Sequence, residues 1–252
     1  MSEDAEFVIL KKENLVSTQR WRDAVAEHGF ALELLDDVDW AKGVGRVRCR
    51  YFGDDANFEY TLSPLEGDWL GKMGISRAAI AADADTRVRF SSSTESGSEL
   101  LPTVGDFYSI AAEYIAAAVL AEVTRGVFVE GFSKLAVGPD MAVGYGRCHE
   151  ASTMQFVYEQ NFGTMLYMPT PREIAPALRS PRLLALFARQ AQIFAATFRG
   201  WKRSAAQIAE LEAIEKELRK IADESETILG TTSLRAWLAL GVAKFGQGNE
   251  PE

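Results

Sequence analysis

Apolar and polar residues alternate with a period of two along residues 30–35, 46–52 and 57–62, and again along 86–90. A strand sends successive side chains to opposite faces, so these runs predict half-buried antiparallel strands, with one face on a core and the other toward water or a partner. Gly53, Asp54 and Asp55 mark a turn between the second and third runs. Helical spacing appears elsewhere. Ser17 is placed to cap a helix that carries Trp21, Ala24, Val25 and His28 on one face and stops at Gly29. Residues 106–124 predict an amphipathic helix and 126–130 a further strand. The expected fold class is α+β: an antiparallel sheet with helices on one face, followed by a C-terminal helical hairpin or coiled-coil-like extension.

The extension rests on a heptad pattern. Leu184, Phe187, Ala191, Phe194, Phe198, Trp201, Ala205 and Ile208 form an apolar seam of alternating three- and four-residue steps. After Ile208 the register slips by one residue and resumes at Leu211, Ile214, Leu218, Ile221 and Ile228, which signals a stammer or a bend. Residues 172–203 hold seven Arg or Lys and one Glu, whereas 210–226 hold seven acids and three bases, so the two stretches are complementary in charge. An unbroken helix over 181–229 would be about 75 Å long at 1.5 Å per residue. That exceeds the roughly 40 Å diameter of a 150-residue domain, so it would have to project as a stalk and recruit a second copy. Gly200 offers a kink instead, and bulky seam aromatics favour packing within the chain. A last helix carrying Leu234, Trp237, Leu238, Val242 and Phe245 completes a hairpin; with Arg235 and Lys244 as its basic residues it is read as core packing ahead of a membrane-surface anchor.

Composition changes near residue 150. The first 150 residues have 15 Lys+Arg against 25 Asp+Glu, and the remainder 12 against 11, with long runs of helix formers. Two domains are expected, an α+β domain over 1–150 and a helical extension over 151–252, with a boundary near Pro169 and Pro171. The net charge of −9 disfavours nucleic acid and anionic lipid as partners. Cys49 and Cys148 lie far apart in a chain that opens on acidic residues, and the longest apolar stretches fall short of a membrane span, so a cytoplasmic protein with reduced thiols is expected. No cofactor or metal is needed to explain folding.

The order of residues 21–29, 32–34, 49–60, 88–90 and 116–127 resembles an uncharacterised bacterial family associated with toxin-antagonism loci, in which small proteins act as immunity partners. The resemblance covers about residues 17–130 and consists of packing residues. It implies a toxin-neutralising, immunity-like role and carries no catalytic motif.

Chemistry-bearing motifs are few. Cys148, His149 and Glu150 supply the residue types of a cysteine hydrolase, but neighbouring side chains diverge on a helix or strand, and such relays are assembled from distant segments. His28, His149, Cys49 and Cys148 lack the spacing of a zinc site. Gly144 and Gly146 give a Gly-x-Gly without a third glycine, read as a turn. Asp54 with Asp55, and Asp83 with Asp85, are read as solvated turn residues. No catalytic residue is assigned.

The remaining signal is a surface. Arg46, Arg48 and Arg50 share one strand face opposite Val47, Cys49 and Tyr51, and Arg87 and Arg89 repeat the pattern around Val88. Glu33 and Glu59 fall on the same face and are expected to pair with them, two acids against five guanidiniums. The reading is a non-enzymatic, protein-binding protein of the immunity or adaptor type. It would engage another, acidic, protein through Arg46, Arg48, Arg50, Arg87 and Arg89, or through the helical seam of Leu184, Phe187, Phe194, Phe198 and Trp201. The alternative is a hydrolase or nucleotide-binding enzyme whose site is built on loops 63–85 and 133–150.

Overall fold

The structure is a computed structural model that describes residues 5–77, 80–92, 104–131, 134–162, 169, 177–200 and 204–229. One compact unit runs to Gly146 and a second begins at Arg147.

In the first unit seven strands form one antiparallel sheet in the order β2-β3-β4-β5-β1-β6-β7. They are β1 (Glu6–Leu10), β2 (Leu32–Leu34), β3 (Val44–Tyr51), β4 (Asp54–Pro64), β5 (Thr86–Ser91), β6 (Val127–Glu130) and β7 (Leu135–Val137). The helices are α1 (Thr18–Glu27), α2 (Gly67–Lys72), α3 (Val104–Val123) and α4 (Pro139–Phe162), which runs past Gly146 into the second unit.

Alternation is kept where one face is open. In β3, Val47, Cys49 and Tyr51 are buried while Arg46, Arg48 and Arg50 are exposed, and β4 pairs with it so that Val47 faces Phe58 and Arg48 faces Asn57. The β3–β4 turn places Phe52 at φ 50° and Gly53 at φ 83°; two successive left-handed residues make the tight turn whose twist matches the flanking strands. The inner face packs on α1 and α3. Ser17 Oγ accepts from the Arg20 N–H at 3.2 Å at the start of α1, and Gly29 at φ 69° follows its end. Trp21 is fully buried beside Phe58 and Phe90, with its indole N–H donating to the Ala116 carbonyl at 3.1 Å.

Two features depart from the sequence expectation. First, helices and loops cover both faces of part of the sheet. Strand β1, which alternation does not reveal, is buried along its whole length. Val8 and Leu10 face inward. Phe7 and Ile9 face outward, where Leu70, Met73, Ile75, Ile80 and Ala84 cover them together with Val127 and Val129. The 63–85 segment is thus largely a hydrophobic cover. Second, Gly144 and Gly146 lie inside α4 and not in a turn. Gly146 allows a close helix crossing: a Cβ there would stand 2.7 Å from the Ala118 Cβ on α3.

In the second unit, α5 (Pro181–Gly200) and α6 (Ala205–Leu229) replace the single long helix. Arg182 pairs with Glu217, and Arg189 with Glu210, where its Nη2 donates at 2.8 Å. Position numbers rise on one helix as they fall on the other, so the pair is antiparallel and the basic and acidic stretches meet within one chain. Phe187, Ala191 and Phe194 are buried, and the Phe194 ring lies 4.8 Å from that of Tyr158. Ile208, expected in the seam, is exposed, because the helix has restarted at Ala205 and its buried stripe begins at Leu211. The last expected helix, with Leu234, Arg235, Trp237 and Lys244, lies outside the described residues. No helix among the described residues is long and apolar enough to cross a membrane.

Two outcomes follow from this packing. Gly146→Ala forces α3 and α4 apart, a loss of about 1–3 kcal/mol by overpacking, offset by about 1 kcal/mol of helix propensity; denaturant titration should show net destabilisation. Phe194→Ala should lower stability by about 3–5 kcal/mol through a cavity while the sedimentation coefficient of the folded protein stays that of the wild type.

Candidate functional site

The five arginines emerge on one face, as the alternation expects. Arg46, Arg48, Arg50 and Arg89 are exposed and Arg87 is half-buried. The β3–β4 and β4–β5 registers bring them together: Arg46 stands across from Glu59, which in turn faces Ser91, Arg48 stands across from Asn57, and Arg89 from Thr61. At a strand spacing of about 4.8 Å and a rise of about 3.4 Å per residue, Arg46 and Arg89, two strands and two residues apart, are roughly 12 Å from each other on the sheet.

Two of them take partners beyond Glu33 and Glu59. Arg48 Nη2 donates to Asp36 Oδ1 at 2.7 Å, its Nε reaches both carboxylate oxygens at 3.1 Å, and its backbone N–H donates to Oδ2 at 2.8 Å. The guanidinium and backbone hydrogen bonds of Arg48 hold the Asp36 carboxyl below its ordinary range. Arg50 lies 3.9 Å from Asp55. Asp36 and Asp55 therefore join Glu33 and Glu59, and the face carries five guanidiniums against four acids, a smaller excess than two acids would leave. Arg46 Nε donates to the neutral Asn57 at 2.9 Å. Arg87 donates to Ser63 at 2.8 Å and lies 4.9 Å over the Trp69 ring, which ties it to the α2 cover. Among the described residues Arg89 has neither a hydrogen-bonding nor an ion-pair partner.

The helical seam is a different case. Phe187 and Phe194 are buried in the chain's own packing and Leu184 is half-buried, so these three do not form an open surface. The side chains of Phe198 and Trp201 lie outside the described residues.

The remaining chemical candidates are accounted for by structure. Cys148, His149 and Glu150 are consecutive on α4, about 100° apart around the helix, and Glu150 accepts from Arg147 at 2.6 Å. Asp85 accepts from the Lys12 N–H and the Thr86 hydroxyl, each at 2.8 Å, and Asp83 pairs with Lys11. Burial pushes the Cys49 thiol up to about 12. Among the described residues no group of three or more His, Cys, Asp or Glu is arranged to hold a metal ion.

Sequence reading missed one polar cluster. Glu6 of β1 and Glu130 of β6 are cross-strand neighbours on the inner face, and Glu113 of α3 accepts from the Glu6 N–H at 3.4 Å. All three are buried in the domain, with the Tyr145 hydroxyl donating to Glu130 at 3.0 Å and Tyr114 hydrogen-bonded to Glu6. Burial raises Glu6 well above the usual carboxyl range and Glu113 to about 7. The available signal was Glu113 interrupting an apolar helix, and Glu6 and Glu130 ending apolar strands at inward-facing positions.

With both cysteines buried and Cys49 strongly disfavoured as a thiolate, neither should react with an aromatic disulfide reagent at pH 8 in the native protein, and both should react after denaturation. Rapid labelling of Cys148 in the folded state would restore it as a candidate nucleophile.

Comparison with family models, with curated proteins and with solved structures finds no match to this chain.

Proposed function

We propose that this chain is a non-enzymatic protein-binding protein of the immunity or adaptor type, which engages an acidic partner protein through the open half of its sheet. The observation that carries this reading is the uncovered outer face of β3, β4 and β5. There Arg46, Arg48, Arg50 and Arg89 stand exposed on a protein whose net charge is −9. The other half of the same face is closed by α2 and the 65–85 segment. A planar guanidinium presents paired donors that match a carboxylate, so arginines at strand spacing suit a partner that displays carboxylates in a row. Asp36 and Asp55 hold Arg48 and Arg50 in place in the meantime, a pre-organised arrangement that an incoming acidic segment extends.

The sheet face is favoured over the helical tail because the charge complementarity of α5 and α6 is already used within the chain. The loop-built enzyme has less support, since 65–85 packs as cover and 139–150 is helix.

Arg46→Glu with Arg89→Glu tests the reading, as these two are tied to neither Asp36 nor the Trp69 cover. Wild type immobilised at low salt should retain an acidic protein from the native cell at a fixed ratio and release it with salt. The double variant should bind it about tenfold more weakly at unchanged melting temperature. Equal retention by both proteins would move the site off this face.

A further inference from the structure

The buried acids are on the inner face of the sheet, opposite the arginines. Glu6, Glu113 and Glu130 come from β1, α3 and β6, the three elements whose junction closes one end of the core. Their relative exposures are 4%, 4% and 6%, so water does not solvate them. The groups facing them include Tyr114 of α3, Tyr145 of α4 and Ser92 beyond β5, all neutral, and the positive charge of Arg89 of β5 acts on Glu113. Arg147 of α4 pairs with Glu150 at 2.6 Å. Glu6 Oε2 is buried without a hydrogen-bond partner, which an ionised carboxylate does not tolerate. A carboxyl that keeps its proton needs less from its surroundings than a carboxylate, and two close carboxylates repel.

We propose that Glu6 and Glu113, with the Glu130 side chain beside them, form a proton-operated latch, which fastens β1 to α3 while the pair is protonated and loosens that junction when it ionises. The direction follows from linkage. In the unfolded chain Glu6 and Glu113 ionise near 4.5, whereas in the fold Glu113 keeps its proton to about 7 and Glu6 is displaced in the same direction. The folded state therefore binds more protons between those limits. Stability contributed by this pair is complete below about 4.5 and is lost as the pH rises through 7. At tenfold per unit, Glu113 alone changes the folding equilibrium by about 300-fold across that window.

Denaturant unfolding of the full chain at pH 5, 6, 7 and 8 reads this directly, with amide hydrogen exchange of Phe7–Leu10 as a local probe. Wild type should lose stability on going from pH 5 to pH 8, and exchange at β1 should rise faster than the global change. Glu113→Gln should flatten the pH dependence and be the more stable protein at pH 8. If that variant does not fold, an infrared titration of wild type decides: a protonated-carboxyl band that persists at pH 6 supports the latch. A wild type whose stability rises or stays level over this range, or whose carboxyl band has vanished by pH 6, overturns it.

Discussion

A strand buried on both faces demands a cover on both sides, and β1 imposes that demand on this fold. Phe7, Val8, Ile9 and Leu10 are all excluded from water. Each such side chain contributes about 1.5–3 kcal/mol on burial, so four supply roughly 6–12 kcal/mol, comparable to the whole net stability of a domain. Val8 and Leu10 need the inner layer of α3, while Phe7 and Ile9 need α2 and the 65–85 segment. The outer cover extends only as far as β1 and β6 require it. The sheet is consequently divided: its β1–β6 half is a sandwich, and its β2–β4 half keeps a polar outer face. The arginine surface exists because the cover stops short of it.

The same enclosure explains how the molecule treats charge. Where both partners are at hand, an interior pair forms, as Arg147 and Glu150 do at 2.6 Å with side chains 6% and 0% exposed. At the β1–α3–β6 junction burial instead favours the protonated form of Glu6 and Glu113. The Tyr145 hydroxyl can donate to a carboxylate, and it donates to Glu130, while Glu113 accepts from the Glu6 N–H. Polar atoms are thus distributed so that negative charge inside the core is held to what its donors can stabilise.

How much of this was legible depends on whether an element meets water. Strands β3, β4 and β5 were readable because one face is solvated and their polar residues fall at every second position. For the same reason the five arginines were correctly placed on one face. Strand β1 was not, since Phe7–Leu10 is a short apolar run without alternation, and α4 was not, since it is buried on most sides and carries Gly144 and Gly146. The partners Asp36 and Asp55 escaped because they lie at strand ends, where alternation no longer fixes direction. Glu6, Glu113 and Glu130 are separated by more than 100 residues between the first and the other two, and only the sheet order, with β1 inserted between β5 and β6, brings them together. The charge complementarity of 172–203 and 210–226 was legible as pairing; the break after Gly200 determines that α5 and α6 meet each other.

That break also separates the two surfaces as candidates for recognition. Ion pairs between α5 and α6 stand beside a buried aromatic seam, so an external partner that used those charges would have to open a packed interface containing Phe187 and Phe194. On the sheet face the arginines rest on backbone that β-pairing already fixes, and their present partners are half-buried or exposed side chains at the rim of the core. An acidic partner can exchange with them without disturbing a core. Only the sheet face combines fixed geometry with replaceable contacts, which is what a surface needs if it is to bind without refolding.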